Sequence, residues 1–251
     1  MSEAPIINVP AGTYALRQTA TCIFHVSPAP NDTVTFPTTS LCVSRSMTLV
    51  GAGAATTVID GEQPPGQLGV GKPVMYVSAG TAVEIQGVTM KRGNFSVGSL
   101  TGHGGGIRTA GALTLTETVV SDNFTGGPGG GIYNTGNLAL VRSTLTRNST
   151  PGDGGGLFNT DGGTVTVGSS LITANTTTGG SGGGLSNFSG TVTISGSTIS
   201  VNVAENGAGG GLHSGSFTAM FVTNATISGN RARSGGGLMN GFAATMHLQN
   251  V

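Results

Sequence analysis

Charge is scarce in this chain. Only 8% of its 251 residues are Asp, Glu, Lys or Arg, against roughly 25% in an ordinary soluble protein. Ten acids balance ten bases, so nothing forms the basic footprint of a nucleic-acid or anionic-membrane binder. Cysteine is scarcer still, with Cys22 and Cys42 alone. Their spacing rules out a C-x-x-C pair, and no histidine set accompanies them for zinc. They fit equally a disulfide, closing a loop of about 20 residues and adding roughly 3 kcal/mol in the chain-entropy model, or two buried thiols. No apolar run reaches the ~18 residues of a membrane-spanning helix, so this segment inserts none. "MSEAPIINVP" does not read as a secretory leader.

Glycine, by contrast, is abundant, at 46 residues, and many apolar residues are β-branched. That composition favours strands and tight turns over helices. The decisive feature is a repeat. G-G-G-[IL] recurs at Gly104–Ile107, Gly129–Ile132, Gly154–Leu157, Gly182–Leu185, Gly209–Leu212 and Gly235–Leu238, in steps of 25, 25, 28, 27 and 26 residues. Two positions after each anchor stand Thr109, Asn134, Asn159, Asn187, Ser214 and Asn240. A second motif, [ILV]-x-x-N with the variants "VSDN" and "ITAN", closes each unit at Asn123, Asn148, Asn175, Asn202 and Asn230. "TMKRGN", ending at Asn94, is a looser predecessor.

Within a unit apolar residues alternate, as in Leu113/Leu115, Leu138/Leu140, Val165/Val167 and Val192/Ile194. This is the period of a half-buried strand. Three strands of three to five residues per unit leave no room for a helix, and the period is too short for a propeller blade. The expected fold is all-β: a single-stranded right-handed parallel β-helix with rungs of about 25–28 residues. Glycines would turn the chain before each first strand. The asparagines would sit at corners, in the left-handed conformation, bonding between rungs. Residues 46–251 form the β-helix and residues 1–45 an N-terminal cap or irregular first rungs. "GFAATMHLQNV" stops before a closing strand, so further rungs or another domain are expected beyond Val251.

G-G-G-[IL] with [ILV]-x-x-N resembles the paired G-G-A-[ILV] and F-x-x-N signatures of bacterial surface β-helix proteins of the polymorphic outer-membrane-protein type. The order "INVPAGTYAL…SMTLVGAGAATTVIDG…VEIQGVTMKRGN…GHGGGI" is similar to right-handed β-helix repeats that follow a C-x-L-R-E-A-type motif in secreted proteins, although that motif is missing here. The resemblance implies a secreted or cell-surface protein with an adhesive or structural role. The pectin-lyase-like superfamily also holds polysaccharide-degrading enzymes, and a lyase or glycoside hydrolase is the alternative reading.

Chemistry is thinly marked. "GAGAAT" lacks the helix and acidic residue of a dinucleotide loop, and "GGSGGGLSN" lacks the aspartate of the calcium nonapeptide. Asp153 and Asp161 read as loop residues, and Glu117 with Arg142 as a surface ion pair between rungs. Asp60, Glu62, Lys72, Lys91 and Arg92 are the densest charged group. No residue is assigned a catalytic, cofactor-binding or metal-binding role. The residues after the G-G-G-[IL] anchors, expected to face solvent, include Arg108, Tyr133, Phe158 and His213. They form a candidate aromatic strip for a glycan or a surface protein. A row of Thr89, Ser121, Thr146, Thr173, Ser200 and Ser228, with the T-x-T pairs, leaves ice binding as a minor alternative, broken by Ala139.

Overall fold

The computed structural model describes residues 4–16, 20–25, 33–38, 40–62, 72–95 and 102–251, with 20–25 and 33–38 described by backbone alone. Among them every regular element is a strand. The architecture is a parallel β-solenoid of about seven turns.

One coil carries four strands rather than three. Ile107–Thr109 begins the coil in what we term the opening sheet. Ala112–Thr116 lies in the long sheet, Val119–Ser121 in the third and Phe124–Thr125 in the short sheet. The two-residue strand escapes an alternation search because it is too short to alternate. These four sheets hold eight, nine, eight and six strands respectively. The register follows the repeat: Ile107, Ile132, Leu157, Leu185, Leu212 and Leu238 stack directly. Their side chains join Leu113, Leu115, Val120 and their counterparts in one continuous apolar core.

The first coil starts before the repeat becomes regular. Ile6–Val9 pairs in parallel with Met47–Gly51, and Gly12–Ala15 with Thr57–Asp60. Leu41–Val43 joins the opening sheet. Between them Ala20–His25 and Thr33–Thr38 form an antiparallel pair outside the solenoid.

The glycine triplets have two separate causes. In Gly129–Gly131 the first glycine has φ +76°, a left-handed turn that costs glycine little. A Cβ on the second or third would lie 2.4 or 2.5 Å from a carbonyl oxygen of the next coil. The first glycine is therefore required by conformation and the others by the closeness of successive coils.

Three rows of side chains lace the coils together. At the asparagine corner, between the third and short sheets, Asn148 Nδ2 donates to Asn175 Oδ1 at 3.0 Å, and Asn175 Nδ2 to Asn202 Oδ1 at 3.0 Å. Each Oδ1 also accepts the backbone N–H of the asparagine one coil back. The ladder runs from Asn123 to Asn230. Asn94 is not in it: its register partner is Phe124, one residue on, and Gly93 N donates to Asn123 Oδ1 instead. Nor are these asparagines left-handed. The residue before them is: Asp122, Arg147, Ala174 and Val201 have φ between 53° and 58°. The amides bond along the stack, and their neighbour makes the turn.

A second, shorter asparagine ladder links Asn134 to Asn159 and Asn159 to Asn187 at 2.7 and 2.9 Å. It ends where Ser214 replaces asparagine, so Asn187 donates to the Gly190 and Ala219 carbonyls. Asn240 bonds within its own loop, to the Ala244 carbonyl. At the serine corner, between the long and third sheets, Ser143 Oγ, Ser170 Oγ and Ser197 Oγ each accept the backbone N–H of the counterpart residue in the preceding coil.

Candidate functional site

The sequence-predicted strip leaves the core side of the opening sheet, as expected, but it is not a free surface. Tyr133 and Phe158 are only 8% and 5% exposed, while Arg108 and His213 are half-buried. The row stacks in register as Tyr76, Arg108, Tyr133 and Phe158. His103, from the preceding return loop, lies flat on Tyr133 at 4.7 Å between ring centroids. Tyr133 stacks on Phe158 at 5.6 Å, and Phe158 meets Phe188 at 5.8 Å. The Arg108 guanidinium sits 5.5 Å from the Tyr133 ring centroid. Spacing along the strand gave the outward direction correctly. It could not show that segments from outside the strand cover the rings.

This column perturbs its titratable members. Burial, reinforced by Arg108, pushes His103 down to about 4, although Asp161 opposes the change. Burial raises the Tyr133 hydroxyl as well, with Asp161 adding to the effect and Arg108 opposing it. Further along, His213 Nδ1 lies 3.2 Å from Ser186 Oγ, a nucleophile–base contact that sequence reading missed because the two stand 27 residues apart. Burial lowers the His213 pKa, with Asp153 opposing. Ser186 is nevertheless only 1% exposed. The N–H groups of Gly182, Gly183, Gly184 and Leu185 all donate to the next coil. Those four N–H groups are therefore not available to an oxyanion at Ser186.

The densest charged group is likewise committed to structure. Asp60 is 1% exposed, and Arg92 grips both its oxygens, Nε to Oδ1 at 2.8 Å and Nη2 to Oδ2 at 2.5 Å. Glu62 N–H donates to the same carboxylate at 2.9 Å, and Lys91 Nζ lies 3.8 Å away. Burial works against the Asp60 charge, but these partners outweigh it and hold the pKa below the usual carboxylate range. Arg147 grips Asp122 one coil apart, and Arg142 bonds Glu117 as the spacing predicts. No cluster of three metal-ligating side chains occurs among the described residues.

The hydroxyl row differs from its sequence alignment. Lys91, not Thr89, stands beside Ser121. On the long sheet Thr114, Ala139, Thr166, Thr193 and Phe221 follow one another, so the threonine array is cut twice. Cys42 is disulfide-bonded; the Cys22 side chain lies outside the described residues.

Exposed aromatic surface does exist, at the opening corner between the opening and long sheets. Phe188, Phe217 and Phe242 occupy this corner in three successive coils and are 59%, 77% and 79% exposed. Phe217 and Phe242 meet edge to face at 5.9 Å. On the adjoining outer face of the long sheet, Phe221 stacks flat on His247 at 5.2 Å. In earlier coils the same corner is built from Gly80–Ala82, Ala110–Ala112 and Gly136–Asn137, which line a shallow depression of about 370 Å³. Comparison with protein families, curated proteins and solved structures finds no match to the chain in any of the three.

Proposed function

We propose that this chain is a non-catalytic, secreted or cell-surface β-helix module, an adhesin-like or stalk-like scaffold of the pectin-lyase-like kind that binds a glycan or a protein on one edge. The observation that carries this reading is the row of exposed rings at the opening corner, set on a stack whose own bonds are satisfied along two other corners. Loops on a rigid frame are where recognition concentrates. A solenoid holds them at fixed intervals of about 4.8 Å. The disulfide at Cys42 fits an oxidising compartment. The strongest catalytic candidates are committed elsewhere: Asp60 to Arg92, and Ser186 to a buried contact.

The test is to incubate the protein with acidic and neutral polysaccharides and count new chain ends over time. Depletion of a polymer without new ends is the expected result. Sustained release of ends from any one polymer would overturn the non-catalytic reading.

A further inference from the structure

Resting on the binding reading, the geometry points to an uncharged glycan as the ligand, seated on Phe217 and Phe242 at the opening corner and on the adjoining Phe221–His247 stack. Three phenyl rings and an imidazole in two successive coils, Phe217 and Phe242 edge to face and Phe221 stacked on His247, give exposed aromatic surface of the size of a sugar ring. One coil back along the long sheet Thr191 and Thr193, and two coils back Thr164 and Thr166, supply hydroxyls on the outer face. Rings that pack against C–H faces, beside side chains that exchange hydrogen bonds with hydroxyls, suit a ligand that is apolar on its faces and polar at its rim.

The charge distribution decides between neutral and acidic polymers. From Leu185 to Asn230 the sequence holds one formally charged residue, Glu205, and that residue lies on the short-sheet strand Val203–Ala208. Arg231 and Arg233 lie on the short sheet, not on the opening corner. Asp161 stands at the same corner, exposed one coil before Phe188. An acidic polymer would find no lysine or arginine here and one carboxylate further back along the same corner. A peptide strand could add to the long sheet here only along the outer edge of Thr245–Gln249, because Ala219–Thr223 is already paired on both sides, to Thr191–Ser195 and Thr245–Gln249.

The test is affinity electrophoresis of the full chain through gels containing a soluble neutral polymer (a β-glucan, a galactomannan or a xylan) or an acidic one (polygalacturonate, alginate or heparin). Retardation by at least one neutral polymer and by no acidic one is expected. Phe217→Ser with Phe242→Ser should weaken that retardation about tenfold while the melting temperature stays unchanged. Retardation by acidic polymers alone, an unaltered response in the double variant, or no retardation by any polymer would each overturn the assignment. So would a double variant that sediments as a smaller species than the wild type, because the rings would then serve a second copy of this chain. Release of chain ends bears on the non-catalytic reading alone, so the two failures are distinguishable.

Discussion

Two corners of the same coil obey different rules. At the asparagine corner the side chain is the same in five coils, and the residue before it is forced left-handed even where it is alanine or valine. At the opening corner the residues change with every coil, from Ala110–Gly111 through Asp161–Gly162 to Phe217 and Phe242. The first corner is specified by bonds that run along the stack, so any departure leaves a buried amide or N–H alone. The second carries only the shorter ladder Asn134–Asn159–Asn187 in its middle coils, and the turn residues beyond that row are free to vary. The same bonds repeat from coil to coil at the asparagine and serine corners, while side-chain variation accumulates at the opening corner.

Breaking the first corner should have the largest effect. Asn175→Ala removes donations to the Leu145 carbonyl and Asn202 Oδ1, and deprives Asn148 N and Nδ2 of their acceptor. With each buried group left unpaired costing roughly 1–3 kcal/mol, we expect a loss of about 4 kcal/mol in urea unfolding.

The buried column behind the opening corner should be sensitive to acid. The folded-state pKa of His103 is about 4, below the roughly 6.5 of an unfolded histidine. In that window the unfolded chain binds a proton that the folded chain refuses. Stability is therefore full above about pH 6.5 and falls as the pH drops toward 4. His213, also lowered by burial, adds to the loss with the same sign. His103→Phe, which keeps the ring on Tyr133, should flatten the melting-temperature profile across this window without abolishing its slope.

A smaller effect, opposite in sign, is expected from Val201→Gly. Val201 is β-branched, left-handed at φ 58° and 57% exposed. Relief of that strain should exceed the entropy cost of glycine and stabilise by about 1 kcal/mol, read as an upward shift in melting temperature. The smallest effect belongs to the opening corner itself. Phe217→Ser with Phe242→Ser should change unfolding stability by no more than about 0.5 kcal/mol.

The fold was legible because its cause is periodic. A triplet of glycines is needed wherever the chain turns and the coils touch, so it recurs with every coil. The asparagine corner was legible for the same reason. The serine corner is equally regular in sequence: Thr118, Ser143, Ser170 and Ser197 stand five residues before Asn123, Asn148, Asn175 and Asn202. Serine is common enough in strands that the spacing, rather than the residue, had to be noticed. The exposure of the Tyr133–Phe158 strip was misjudged because exposure depends on what covers a residue. Tyr133 and Phe158 point away from the core yet are packed beneath His103 and Phe188. Phe188, Phe217 and Phe242 fall in turns where no two coils agree, so they left no pattern to read. Asn94 was misplaced by one residue because "KRGN" puts glycine where later coils have asparagine.

The most direct measurement is amide hydrogen exchange of the full chain, with and without whichever neutral polymer retards it most. Without polymer, the amides of Asn148, Asn175 and Asn202 should be among the slowest to exchange. With polymer, new protection should appear at 188–191, 215–218 and 241–244, while the asparagine corner remains as it was. Protection confined to the return segments around Asp153, Ser181 and Glu205 would contradict the division between the two corners, as would polymer retention with no footprint at the opening corner.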